Sequence, residues 1–230
     1  MVLFSNRMCA EAVIFDFDGV IVDTEPLHYK SFQRVLEPLG LGFGWQNYID
    51  IYMGFDDRDA FVEAFAAGGR ELIPATLQTL IDQKALVFQD VIRDGVTAYP
   101  GVVELIQRLH AQKVPLAISS GALRSDIDPI LTILGLQNCF DIIVTAEDVK
   151  KSKPDPECYQ QAFDKLCNLN NKAYVKSYVV AIEDTPAGIS AARSAGLQVI
   201  AVSNSYPPER LSDAFFVTDS LETLVGFVLS

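Results

Sequence analysis

Apolar residues fall along this chain in two alternating rhythms. Short unbroken runs form the first. Ala12-Val13-Ile14-Phe15 leads straight into Asp16-Phe17-Asp18-Gly19, and similar runs cover Val114 to Ile118, Asp141 to Thr145, Tyr178 to Ile182 and Gln198 to Val202. Runs of this length, rich in β-branched residues and closed by glycine or polar residues, predict buried strands. The second rhythm is helical and fills the gaps: Val102 to Ala111, Ser125 to Leu134, Glu157 to Cys167 and Ala187 to Ala195. Several helix limits carry their own chemistry. Pro156 sits where a first helical residue would, behind an Asp155 N-cap. Asp184-Thr185-Pro186 starts another helix, and Gly135 and Gly196 stand where C-terminal glycines do.

Strands alternating with helices make βαβ units, so the expected fold is α/β, a Rossmann-like parallel sheet covered on both faces. The stretch from Thr24 to about Val96 breaks the alternation. It is far longer than a crossover between neighbouring strands needs. Its pattern is helical over Leu27 to Leu39, Trp45 to Tyr52, Asp59 to Phe65 and Ala75 to Ile92, interrupted by Pro38, Gly40, Gly42 and Gly44. The expectation is an α/β core made of residues 1–23 and 95–230, with residues 24–94 inserted as a helical subdomain.

Composition narrows the function. Half of the 230 residues are hydrophobic, enough for one sizeable core, and the formal charge of -12 comes without a basic stripe. That surface repels a nucleic acid. A small anionic substrate would need a local positive site set in the negative background. Four cysteines (Cys9, Cys139, Cys158 and Cys167) lack zinc-type or CxxC spacing and read as ordinary thiols. No run reaches the apolar length of a membrane span, and the first fifteen residues lack the layout of a secretory signal. The expected setting is therefore cytoplasmic, with no membrane partner and a monomer or weak dimer.

The polar residues fall where an open α/β sheet binds ligands, just beyond the carboxyl ends of its strands. Asp16 and Asp18 end the first strand, their side chains on one side if the strand stays regular. Ser119-Ser120-Gly121 ends the second, Glu183-Asp184 the fourth, and Lys153-Pro154 follows the third. Carboxylates at buried strand ends are costly unless a cation compensates them. A set of hard oxygen ligands without His or Cys suits Mg²⁺. Ser119, Ser120 and Gly121 ahead of a helix offer a hydroxyl and backbone N–H groups to phosphate oxygens. Lys150 and Lys151 read as a solvated run. Lys153 differs, because Pro154 restricts its backbone beside the crevice.

These segments resemble the haloacid dehalogenase superfamily, in its branch of phosphatases and β-phosphoglucomutase-like enzymes. Asp16-Phe17-Asp18-Gly19-Val20-Ile21-Val22-Asp23 is similar to the first signature and Ser119 to the second. Lys153-Pro154-Asp155-Pro156 is similar to the third and Glu183-Asp184-Thr185-Pro186-Ala187-Gly188-Ile189 to the fourth, all in the family order. The resemblance implies a helical cap in the inserted stretch and Mg²⁺-dependent phosphoryl transfer. It makes Asp16 the nucleophile and Asp18 the acid and base. Ser119 and Lys153 would grip the phosphoryl oxygens. The metal would be held by Asp16, the Asp18 carbonyl and Asp184, with Glu183 direct or one step behind.

Three functions stay open on this evidence: hydrolysis of a small phosphate monoester, a β-phosphoglucomutase-like phosphohexomutase, and a non-enzymatic metal-binding protein. Persistence of every chemical group disfavours the last. Thr24 and His28 fit cap positions of mutase-like members, and Arg58 is a cap contact candidate. Within Met53-Gly54-Phe55-Asp56-Asp57-Arg58, however, Met53 stands where the mutase pattern has a lysine, and Arg58 is one residue displaced. The expectation is a phosphatase acting on a small phosphorylated metabolite, of sugar phosphate or phosphoglycolate type.

Overall fold

The structure, a computed structural model, describes residues 2–5, 8–53, 55 and 57–226; the Cys9 side chain, Gly54 and Asp56 lie outside the described residues. The chain divides into two units, 1–23 with 97–230, and 24–96.

In the first unit a hairpin of β1 (Val2–Ser5) and β2 (Met8–Ala10) precedes β3 (Ala12–Phe15). The second unit is helical: α1 (Glu25–Leu36), α2 (Trp45–Asn47), α3 (Asp57–Ala67) and α4 (Pro74–Arg93). A π-helical turn over Tyr48–Tyr52 continues α2 and is closed by the Met53 N–H on the Tyr48 carbonyl at 2.9 Å. Phe32, Leu36, Tyr48, Phe61, Phe65 and Leu80 form a hydrophobic core belonging to this unit alone. A separate core is what an independent unit requires.

The first unit resumes with α5 (Val102–Ala111), β4 (Leu116–Ser119), α6 (Arg124–Ile133), β5 (Ile142–Val144) and α7 (Glu157–Leu169). It ends with β6 (Val179–Glu183), α8 (Pro186–Ser194), β7 (Gln198–Val202), β8 (Phe216–Thr218) and α9 (Glu222–Val225). The expected parallel sheet is present, in the order β5-β4-β3-β6-β7-β8. Period-2 alternation divides its interior between two faces. Ala12, Ile14, Ala117, Ala181, Val199 and Ala201 pack with Tyr159, Ala162, Leu166 and Ile189 of α7 and α8. The alternate set, Val13, Phe15, Ile118, Ile182 and Ile200, is equally buried. Each such side chain contributes roughly 1.5–3 kcal/mol on burial.

The helix and strand limits follow local chemistry. On α5, Val102, Leu105, Ile106 and Leu109 face the core at helical spacing. The strand expected from Val114 starts only at Leu116, because Pro115 has no N–H for the ladder; its carbonyl still accepts from the Val13 N–H at 3.0 Å. At α7 the N-cap position is Pro156, not Asp155. The Asp155 carboxylate caps from one residue earlier, accepting the Glu157 N–H at 3.1 Å. Strands β1, β2 and β8 are additional to the five strands read from the apolar runs. No helix among the described residues is long and apolar enough to cross a membrane.

The sheet order fixes the ligand crevice. From β3 the chain moves outward to β4 and β5, then returns to the other side of β3 and moves outward again through β6, β7 and β8. The reversal leaves a crevice beyond the carboxyl end of β3, flanked by the ends of β4 and β6.

Candidate active site

Asp16 is the first residue past β3 and is 7% exposed. Its N–H is tied to the Ile182 carbonyl of β6 at 2.9 Å, so the backbone is fixed against the neighbouring strand. Its Oδ1 accepts from the Phe17 N–H at 2.7 Å and from Lys153 Nζ at 2.8 Å. Both of these donors fall on Oδ1. The chain then turns. Gly19 takes a left-handed φ of 76°, and its N–H meets the Val22 carbonyl at 3.0 Å. Glycine is required there twice over, by the φ and because a Cβ would strike the Asp184 carboxylate.

Glu183, the last residue of β6, is fully buried and its oxygens are committed. Oε1 accepts from Lys153 Nζ at 2.6 Å and from Tyr159 OH at 2.7 Å. Oε2 accepts from the Asp184 N–H at 3.1 Å, the Thr185 N–H at 3.3 Å and Thr185 Oγ1 at 3.2 Å. Gly188 on α8 leaves room for this carboxylate, which a Cβ would hit. Thr185 also caps α8, accepting the Gly188 N–H at 3.0 Å. Asp184 differs from Glu183. Ser205 Oγ donates to its Oδ2, while its Oδ1 is buried with no partner among the described residues. Ser119 Oγ, at the end of β4, is likewise buried without a partner.

The ligand atoms of Asp16, Glu183 and Asp184 lie within 4.8 Å of one another, facing one ammonium group. That balance is short of positive charge. Burial first, then repulsion by Glu183, raises the Asp16 carboxyl well above the usual range against the pull of Lys153. The same two causes push Asp184 up to about 7. Burial would raise Glu183 too, but the Lys153 charge and its hydrogen bonds outweigh it and hold Glu183 low. Lys153 is opposed by burial, yet Asp16 and Glu183 raise it above its ordinary value, so it stays charged. Three buried carboxylates, two of them paired with one lysine, and an orphaned acceptor on Asp184 fit a site for a cation with hard oxygen ligands.

Several expectations need correction. Asp16 and Asp18 are not carried on the strand, because β3 ends at Phe15 and the turn at Gly19 begins at once. Asp18 is half-buried, and its carboxylate is not part of the acidic cluster found among the described residues. The segment Ser119-Ser120-Gly121 does not lie on a helix N-terminus, since α6 begins only at Arg124. The Ser120 N–H is spent on the Val144 carbonyl at 3.0 Å, its Oγ accepts the Ala122 N–H at 2.9 Å, and Gly121 is exposed. In the helical unit Thr24 is buried at the start of α1 and Arg58 is exposed on α3. His28 stacks on Phe88 with ring centroids 4.5 Å apart, and its Nδ1 lies 3.0 Å from Lys84 Nζ.

Four residues of these clusters escaped the sequence reading: Tyr159, Asn204, Ser205 and Lys84. The Ser203-Asn204-Ser205 stretch follows β7 and obeys the same strand-end rule that found the others. Concavity is a poorer guide. A groove of about 450 Å³ lined by His110, Lys113, Pro115, Asp141 and Asn170 lies at the amino ends of β4 and β5, opposite the charged cluster.

Residues 13–202 match the family model of haloacid dehalogenase-like hydrolases. The phosphorylated carbohydrates phosphatase of Thermotoga maritima is 31% identical over 83% of each chain. The fructose-1-phosphate phosphatase YqaB of Escherichia coli is also 31% identical, over 83% of this chain and 95% of its own. The crystal structure of CbbY from Rhodobacter sphaeroides in complex with xylulose-(1,5)bisphosphate superposes with a TM-score of 0.78 at 23% identity, covering 93% and 95% of the two chains. With its fold, its carboxylate cluster and these matches, the chain belongs to the haloacid dehalogenase-like hydrolases and is an enzyme of that family.

Proposed function

We propose that this enzyme is a Mg²⁺-dependent phosphatase that hydrolyses a small phosphorylated sugar through a phospho-aspartate on Asp16. The observation that carries the reading is the Asp16–Lys153–Glu183 chain beside an Asp184 oxygen that has no partner among the described residues. Asp16 and Asp184 would hold the metal, with the Asp18 carbonyl by family likeness. Glu183, its oxygens filled by five donors, stands behind them. When bound, Mg²⁺ supplies the positive charge that offsets these carboxylates and the phosphoryl oxygens.

The chain's own groups divide the remaining work. A carboxylate oxygen of Asp16 attacks phosphorus, and the bond from phosphorus to the sugar oxygen breaks. Asp18, in its acid form, gives its proton to that leaving oxygen. Asp18 then takes a proton from water, whose oxygen attacks phosphorus, and the Asp16–phosphorus bond breaks to free inorganic phosphate. Lys153 and the orphaned Ser119 hydroxyl hold phosphoryl oxygens throughout, since positioning and charge neutralisation dominate this chemistry. Glu183, pinned by Tyr159 and Thr185, keeps Lys153 charged and aimed.

Two relatives at 31% identity are named as phosphatases of phosphorylated carbohydrate and fructose 1-phosphate, which favours a sugar phosphate. Met53 where a mutase would carry a cation favours water over a sugar as the phosphoryl acceptor. Assay of phosphorylated sugars with Mg²⁺ tests both points. Release of phosphate, abolished in Asp16→Asn, is expected. Rapid conversion of β-glucose 1-phosphate to glucose 6-phosphate, dependent on glucose 1,6-bisphosphate, would replace the phosphatase reading with the mutase.

A further inference from the structure

Asp184 is held at one oxygen only. Ser205 Oγ donates to Oδ2, and the buried Oδ1 has no partner among the described residues. A carboxylate fixed at one oxygen cannot rotate freely, so the Ser205 bond decides where Oδ1 stays. Ser205 comes from the loop directly after β7. The preceding residue reaches the other acidic segment: Asn204 Nδ2 donates to the Gly19 carbonyl at 2.6 Å. Gly19 lies against the same Asp184 carboxylate, and a Cβ on it would also come 2.9 Å from Ser205 Oγ. Two consecutive side chains thus grip the two segments, 16–19 and 183–184, that carry the cluster.

We propose that Asn204 and Ser205 are positioning residues for the divalent cation, a clip that fixes the rotation of Asp184 and its spacing from the Asp16 turn. The inference rests on the metal-assisted reading given above. The clip acts through Asp184 and the Gly19 carbonyl and needs no contact with the phosphate ester, so metal affinity is the quantity it sets. Groups behind metal ligands typically govern affinity by about 10- to 100-fold.

The test is calorimetric titration of the full-length protein with Mg²⁺ in the absence of substrate, alongside kinetics over a range of Mg²⁺. Ser205→Ala is expected to raise the Mg²⁺ Kd by about 10-fold or more. Ser205→Thr, which keeps the hydroxyl, restores it, and Asn204→Ala weakens binding by less. Turnover lost in Ser205→Ala returns as Mg²⁺ is raised, whereas KM for the ester moves much less. A purely structural staple would lower the melting temperature and leave the Kd alone. Should Ser205→Ala not fold, Ser205→Cys, similar in size and a weak donor, takes its place with the same expectation. Equal affinity in wild type and variant overturns the clip alone. Absence of Mg²⁺ binding in the wild type overturns the metal reading and the clip with it.

Discussion

Among the described residues each unit holds a lysine largely out of solvent against acid, and the two lysines are held in opposite ways. Lys153 bridges two carboxylates, Asp16 at 2.8 Å and Glu183 at 2.6 Å, with the Tyr159 ring centroid 5.0 Å away. Among the described residues Lys84 pairs with one carboxylate, Asp57 at 2.7 Å, and meets a histidine nitrogen at 3.0 Å. The Phe32 and Phe88 rings flank it at 4.9 and 5.2 Å. Among the described residues the charges around Lys84 balance as one pair, and burial with the Lys84 charge holds His28 neutral at a pKa of about 3. Around Lys153 they do not: the Asp16, Glu183 and Asp184 cluster leaves negative charge over and one acceptor unfilled. A balanced buried pair serves packing. An unbalanced one fits the cation and phosphoryl group of the proposed reaction, and that difference marks the site more sharply than burial or pocket shape.

The contrast is open to attack, beginning with the largest effect. Chelation of divalent metal should reduce phosphatase turnover to background, with Mg²⁺ restoring it, because among the described residues Lys153 is the one cationic side chain paired with the cluster. Full activity in metal-free buffer would mean that the charge imbalance has no functional consequence. Next, Lys153→Ala should lower turnover on the order of 10²-fold or more by removing a preorganised charge from the transferring group. Lys151→Ala, whose side chain is 73% exposed, should change almost nothing. Equal losses in steady-state assays of the two variants would erase the distinction drawn for Lys153.

Smaller effects probe the balanced pair. Lys84→Met keeps the stem between the two rings but strands Asp57, and should cost about 2 kcal/mol of stability in denaturant melts. Adding Asp57→Asn should recover part of that, since removing both partners is milder than removing one. The smallest effect is a pH dependence. The His28 pKa is lowered from its ordinary 6.5 to about 3 in the folded protein. Between those values the unfolded chain binds the extra proton, so this contribution to stability is lost as pH falls through that window. His28→Gln, facing the same Lys84, should flatten the acid limb of a melting-temperature profile measured from pH 7 to 4. An unchanged limb would show that His28 titrates normally.

Much of this was legible in the chain. The alternation of apolar runs set the parallel sheet, and the strand-end rule brought out Asp16, Ser119, Lys153 and Asp184 before any contact was known. Long-range partners were hidden. Tyr159 occupies an apolar position of α7, and nothing local announces that its hydroxyl meets Glu183, 24 residues on. Lys84 looks like a solvent-facing lysine of an amphipathic helix, and only the packing of α1 against α4 buries it. The helix N-terminus expected at Ser120 and Gly121 lies further on for a local reason, because the chain runs four residues past β4 before α6 begins.

The central claim is that phosphorus is carried on Asp16. The direct measurement is rapid acid quench of the enzyme turning over a substrate radiolabelled at phosphorus, followed by peptide mapping. The account predicts an acid-stable, hydroxylamine-labile label on the peptide containing Asp16, formed within a single turnover and absent from Asp16→Asn. Label on a different residue, or phosphate release at the wild-type rate by Asp16→Asn, would contradict it.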